Sequence, residues 1–178
     1  MNFKEKISDY VLGNISISQL PQVGELGLQE NLNSESLQIL AGMNEKDNSY
    51  EIEEYYKKAL LELGYKEPNR LSAAKILIVY YLKKIISSPT DCFHLMTIID
   101  NDIYKQENWA QLLNIETRHL GEELGLEKLF TWHREIQDWE SGGKLLYYND
   151  LPREKQIVEF EKHLLVEAKE LLDSLEKA

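Results

Sequence analysis

The chain has 178 residues, enough for about one domain. Its apolar fraction of 43% and its ten Tyr, four Phe and three Trp exclude a disordered chain. The net charge of −11 excludes the broad basic surface on which a nucleic-acid binder depends.

The charge is uneven along the chain. Residues 1–64 carry 11 acids and 5 bases, residues 65–90 carry 1 and 5, residues 91–143 carry 11 and 4, and residues 144–178 carry 8 and 6. Acidity of this kind suits a basic protein partner, because opposite potentials raise the encounter rate. The longest apolar run, Ile76 to Leu82, is far short of a membrane span. The charged start, Met1-Asn2-Phe3-Lys4-Glu5-Lys6, lacks the apolar stretch of a signal peptide. The single cysteine, Cys92, excludes an internal disulfide and reads as a buried small hydrophobe. These features lead to an expected cytoplasmic location.

In chain order, residues 2–12 predict a helix with Phe3, Ile7, Tyr10 and Val11 on one face and Gly13 at its end. Ser18 is expected to cap a short second helix carrying Leu20, Val23 and Leu26, weakened by Gly24 and Gly27. Ser34 caps a third, with Leu37, Ile39, Leu40 and Met43. A polar loop over 44–49 precedes an amphipathic helix over 50–63, capped by Ser49.

From Pro68 to about Ser87 the pattern is apolar nearly all round, which predicts a buried central helix. A helix over 90–100 follows, then a polar stretch and a short turn from Trp109 to Leu113. Residues 116–139 predict a long helix, with a join near Gly125. Leu145 to Tyr148 reads as extended, and Pro152, with Asp150 ahead as a cap, opens the last helix. No segment alternates like a strand. The expected fold is all-α: one domain over 1–178, an irregular bundle of about 7–9 antiparallel helices with no significant sheet.

Two stretches resemble a known set of proteins. Residues Ser34-Glu35-Ser36-Leu37-Gln38-Ile39-Leu40-Ala41-Gly42-Met43 form the first. Tyr56-Lys57-Lys58-Ala59-Leu60-Leu61-Glu62-Leu63-Gly64, with Ser72-Ala73-Ala74 and Ile85-Ile86-Ser87-Ser88, form the second. Over about residues 20–100 the chain resembles small all-helical bacterial proteins of unassigned activity, some of immunity-protein type. The resemblance implies a helical fold and supplies no catalytic residue.

Motifs for chemistry are scarce. There is no phosphate loop, Cys-x-x-Cys pair, zinc-protease helix or nucleophile elbow, so no cofactor is expected and the chain does not read as an enzyme. Glu116 and His119 would share a face if helical. With Glu159 and His163 they form the basis of an alternative, a helical-bundle metal-dependent enzyme. A structural or regulatory adaptor of undefined oligomeric state is a further alternative.

The leading expectation is a non-enzymatic acidic binding protein. An immunity protein that neutralises a basic, nuclease-like toxin by surface charge complementarity fits that description. Trp and Tyr anchor protein interfaces. The expected contact residues are therefore Trp109, Trp132 and Trp139 with the acids Glu116, Glu122, Glu123, Glu135 and Asp138.

Overall fold

The computed structural model describes residues 1–177. The fold is all-α, and no strand occurs among the described residues. The nine α-helices there are α1 (Phe3–Leu12), α2 (Leu20–Gln29), α3 (Glu35–Gly42), α4 (Ser49–Glu62), α5 (Arg70–Ser87), α6 (Cys92–Ile98), α7 (Trp109–Leu113), α8 (Glu127–Ser141) and α9 (Arg153–Lys177). None is long and apolar enough to cross a membrane. The chain forms two compact units, Met1–Leu77 and Ile78–Ala178, with the division falling inside α5.

The first unit is built from helix faces. Phe3, Ile7, Leu20, Val23, Leu37, Leu40, Ile52, Tyr56, Ala59 and Leu60 are buried together. Their spacing puts one stripe of each helix inward. A Cβ on Gly24 would lie 2.8 Å from the Ala41 backbone nitrogen, and one on Gly27 would lie 3.1 Å from Phe3 and Leu37. Both glycines therefore let α2 approach its neighbours closely, a gain that offsets their poor helix propensity.

Caps hold the ends. Asn2 and Glu5 form a reciprocal capping box on α1, and Gly13 closes it in the left-handed region at φ +88°. Ser34 caps α3 through the Leu37 N–H. Several starts differ from expectation. Ser18 lies inside a 3₁₀ turn and does not cap α2, which opens at Leu20, Asn48 rather than Ser49 caps α4, and the Asn69 side chain accepts the Ser72 N–H in front of α5. At α4 and α5 an asparagine side chain accepts the N–H, whereas α2 has no side-chain cap and follows directly on a 3₁₀ turn, Ile17–Gln19.

The second unit mixes helices with ordered non-helical chain. In α5, which crosses the division, Ala73, Ala74 and Leu77 of the first unit and Ile78, Leu82 and Ile85 of the second are fully buried. Ile76, Val79, Tyr80 and Tyr81 are only half-buried, so the helix is not enclosed all round. The expected helix over 90–100 divides into a 3₁₀ turn (Pro89–Asp91), α6, a π turn (Ile99–Ile103) and a further 3₁₀ turn (Tyr104–Gln106). The π turn places Ile99 and Ile103 inside together.

The expected helix over 116–139 is corrected. Residues 115–121 are not helical, a 3₁₀ turn spans Glu122–Leu124, and α8 begins at Glu127. Three backbone stops explain this. Asn114, Gly121 and Gly125 all take positive φ, at +52°, +86° and +72°. At Gly121 a Cβ would sit 2.5 Å from the Phe130 ring, so only glycine fits. The 145–148 stretch forms no strand, and α9 starts at Arg153, later than the Asp150 cap implied.

Candidate functional site

The structural roles of side chains in the second unit separate supports from available surface. Trp109 is only 2% exposed, and its indole N–H donates to the Tyr104 carbonyl at 2.8 Å. Glu135 is 1% exposed, and its carboxylate accepts the backbone N–H groups of Leu146 at 3.0 Å and Tyr147 at 3.1 Å. Their burial removes Trp109 and Glu135 from the expected contact set. Each holds chain in place from within.

Glu122 and Glu123 act on the 115–121 segment. The Glu122 carboxylate accepts the Arg118 and His119 N–H groups, at 2.8 and 3.2 Å. Those bonds hold its pKa below the usual carboxylate value. Glu123 accepts the Tyr104 hydroxyl at 3.2 Å and the Thr117 hydroxyl at 3.2 Å. The Tyr104 oxygen in turn accepts the Gly121 N–H at 3.1 Å, and burial is the main reason its pKa is raised. Adjacent acids at 122 and 123 thus serve two parts of one loop.

The connection from α8 to α9, residues 142–152, is tied at several points. Glu135 holds its middle. The Tyr148 hydroxyl and His163 Nε2 are 2.6 Å apart, and the Gln156 amide donates to the Tyr148 carbonyl at 3.0 Å. Trp132 is half-buried and stacks on His163 at 4.2 Å with 9° between the planes. Tyr147 and Phe160 pack on the same indole. Trp139 lies under the Arg153 guanidinium at 4.5 Å and donates to the Arg153 carbonyl at 3.1 Å. Tyr148 itself sits at φ +56°, a costly conformation for a bulky side chain. Asp138 is half-buried, and its carbonyl accepts the Gly143 N–H at 2.7 Å. Glu116 is exposed and shares a shallow surface with Asn114 and Ile115.

These two ordered segments flank an open groove of about 380 Å³ on α8. Phe130 and Thr131 line it from the helix, with Glu127, Lys128, Arg134 and Glu135. His119 and Leu120 line it from one segment, Leu146 and Tyr147 from the other. Leu120 is 50% exposed, Leu146 67% and Tyr147 45%. Large apolar side chains held out beside a concave surface are the mark of a binding site more than of a core. Of the eight expected contact residues, only Glu135 lines this groove, and it does so from a buried position. The sequence marks Leu120 as an apolar residue of the expected 116–139 helix and gives Leu120, Leu146 and Arg134 no contact role. Their signal is weak: Leu120 continues a helical period, Leu146 sits in a short apolar run and Arg134 is one charge on a charged helix, so only the fold brings the three together.

His133 faces inward. It is buried beside Phe93 and lies 3.3 Å from the Thr97 hydroxyl, and burial pushes its pKa down to about 4. Cys92 is likewise buried, which pushes its thiol up to about 11. Neither arrangement resembles an activated nucleophile and base. The residues of the metal alternative are not assembled. Glu116 and His119 lie outside any helix, Glu159 pairs with Lys162 at 3.1 Å, and His163 is engaged by Tyr148. Among the described residues no three His, Cys, Asp or Glu side chains come together as a metal site would require.

No family model, curated protein or solved structure matches this chain.

Proposed function

We propose that this protein acts by binding a basic protein partner and that the α8 groove is where contact is made. The observation that supports this most is the way Leu146 and Tyr147 are held. A buried carboxylate and a tyrosine at positive φ fix the loop, yet the two side chains at its edge remain in solvent. Rigid presentation of apolar and aromatic side chains lowers the entropic cost of binding.

The charge balance favours a basic partner. The second unit carries 19 acids and 12 bases, a net −7, against 12 acids and 8 bases in the first. A field of that sign speeds encounter with a cationic protein. The immunity-type resemblance over residues 20–100 agrees with such a role, and a basic, nuclease-like toxin is the partner class it implies.

Affinity capture on the full chain tests the reading, using the product of the adjacent gene as prey and native mass spectrometry as readout. The expected outcome is a stoichiometric complex at low salt. It should weaken markedly near 1 M salt, where the Debye length falls to about 3 Å. Failure to retain any basic protein at low salt would overturn it.

A further inference from the structure

Inside an acidic unit, the groove presents one exposed cation that no neighbouring acid among the described residues takes up. Lys128 is neutralised, lying 3.1 Å from Glu167 and 3.5 Å from Glu170. Glu135 is buried and taken up by the loop N–H groups. Glu127 is half-buried and turns Oε2 inward, where it has no hydrogen-bond partner among the described residues, so its carboxylate faces away from the open side of the groove. Arg134 differs. It is exposed, it lines the groove, and among the described residues nothing pairs with its guanidinium. The exposed His119 is on the same lining.

The cation that remains therefore stands next to the apolar edge. Arg134 lies in the helical turn that also carries Glu135, the residue fixing Leu146 and Tyr147. A guanidinium is a planar fork of donors that matches a carboxylate in two bonds at once. A groove with aliphatic walls and such a fork recognises two things together, an apolar side chain and an acid.

We propose that the groove takes a partner segment pairing one aliphatic or aromatic side chain with one carboxylate. The apolar group lies between Leu120 and the Leu146–Tyr147 edge, and the carboxylate pairs with Arg134. This rests on the binding reading and adds to it. The net charge of the unit steers a basic protein in from a distance. An acidic hook on that protein then sets the register, because every misplaced basic side chain meets Arg134 as a like charge.

The probe is a displayed library of random 12-residue peptides, panned on the full chain. Enriched peptides should join Asp or Glu to Leu, Ile, Phe or Trp. Synthetic copies should lose at least about tenfold in affinity on Arg134→Glu, and a few-fold on Arg134→Lys, which keeps the charge and loses the fork. Leu146→Asp should weaken them comparably. Positions 134 and 146 are exposed, and unchanged circular dichroism would show each variant folded. No enrichment, or peptides that hold equally well to Arg134→Glu, would overturn the proposal. If wild type captures a basic partner that Arg134→Glu and Leu146→Asp bind equally well, the groove assignment fails and the binding reading stands. If peptides bind through Arg134 and no basic protein is ever retained, the groove assignment stands and the basic-partner reading fails.

Discussion

The two units use carboxylates differently. In the first, an acid within one helix or at its end reaches the start of another. Glu62 of α4 accepts the Ser36 N–H at 2.9 Å in the first turn of α3, and Glu30 accepts the Phe3 N–H at the start of α1. Each pairs a negative charge with the positive end of a helix, fastening helix to helix. Asp47 also ties a short turn there, through the Asn44 N–H at 2.8 Å, but in the second unit three acids fasten longer stretches of non-helical chain. Glu122 holds the backbone at 118–119, Glu123 holds Tyr104 and Thr117, and Glu135 holds 146–147. Loops tied from inside can present surface residues without collapsing onto them. That difference places the candidate site in the second unit.

The strongest break of this comparison is Trp109→Ala. It removes the largest fully buried side chain among the described residues and takes away the indole N–H that the Tyr104 carbonyl accepts. A loss of about 3–5 kcal/mol is expected. All three tryptophans belong to the second unit, so Trp132 and Trp139 still report on it in urea unfolding followed by fluorescence. A loss under about 1 kcal/mol would mean that Trp109 does not organise the second unit.

Acidification separates the units next. All four histidines lie in the second unit. His133 is buried neutral, with its pKa lowered to about 4 by burial against the opposing pull of Asp100 and with a smaller push from Lys105. The unfolded chain protonates it near its ordinary value of about 6.5. Above that pH its contribution is fully present, and it is lost as pH falls towards 4. The loss reaches about 3 kcal/mol at most. Between pH 7 and 5, hydrogen-exchange protection of α6 and α8 should therefore drop while that of α1–α4 holds. His133→Asn should flatten this pH dependence. An equal fall in both units would show that the titration acts elsewhere.

A smaller break belongs to the first unit. Gly24→Ala puts a Cβ 2.8 Å from a backbone nitrogen, which must move. Overpacking of this kind costs about 1–3 kcal/mol, against the gain of a few tenths up to 1 that alanine brings in an open helix. Far-ultraviolet circular dichroism during urea unfolding measures it. Stabilisation would show that α2 and α3 can part without cost.

How far sequence reading reaches also differs between the units. In the first, stripe spacing and caps are local, so α1, α3 and α4 lie within a residue or two of their expected ends. In the second, leucines at 120 and 124 continue a helical period through a stretch that is not helical. The residues that decide against a helix act at a distance: Phe130 filling the space over Gly121, Tyr104 accepting its N–H. The expected contact acids are misleading for the same reason. A carboxylate that reads as charged surface in sequence becomes a loop tie when a backbone N–H passes within reach, and only the fold says which. The α8 groove follows from those ties, so it is invisible until they are placed.

The finest distinction is which tie holds the α8–α9 loop. Tyr148→Phe removes the hydroxyl facing His163 at 2.6 Å and keeps the ring against Phe160 and Trp132. One hydrogen bond is worth about 1 kcal/mol, so urea unfolding should shift by that much. The local outcome is more telling. If Glu135 is the principal tie, the amides of Leu146 and Tyr147 stay protected from exchange in Tyr148→Phe. They lose protection in Glu135→Gln, whose neutral amide is a weaker acceptor. Tyr148→Asn adds a control, since asparagine tolerates positive φ and removes the ring. It should leave those two amides protected although the aromatic stack is gone. Free exchange at 146 and 147 in either Tyr148 variant would instead make the strained tyrosine the support on which the groove edge depends.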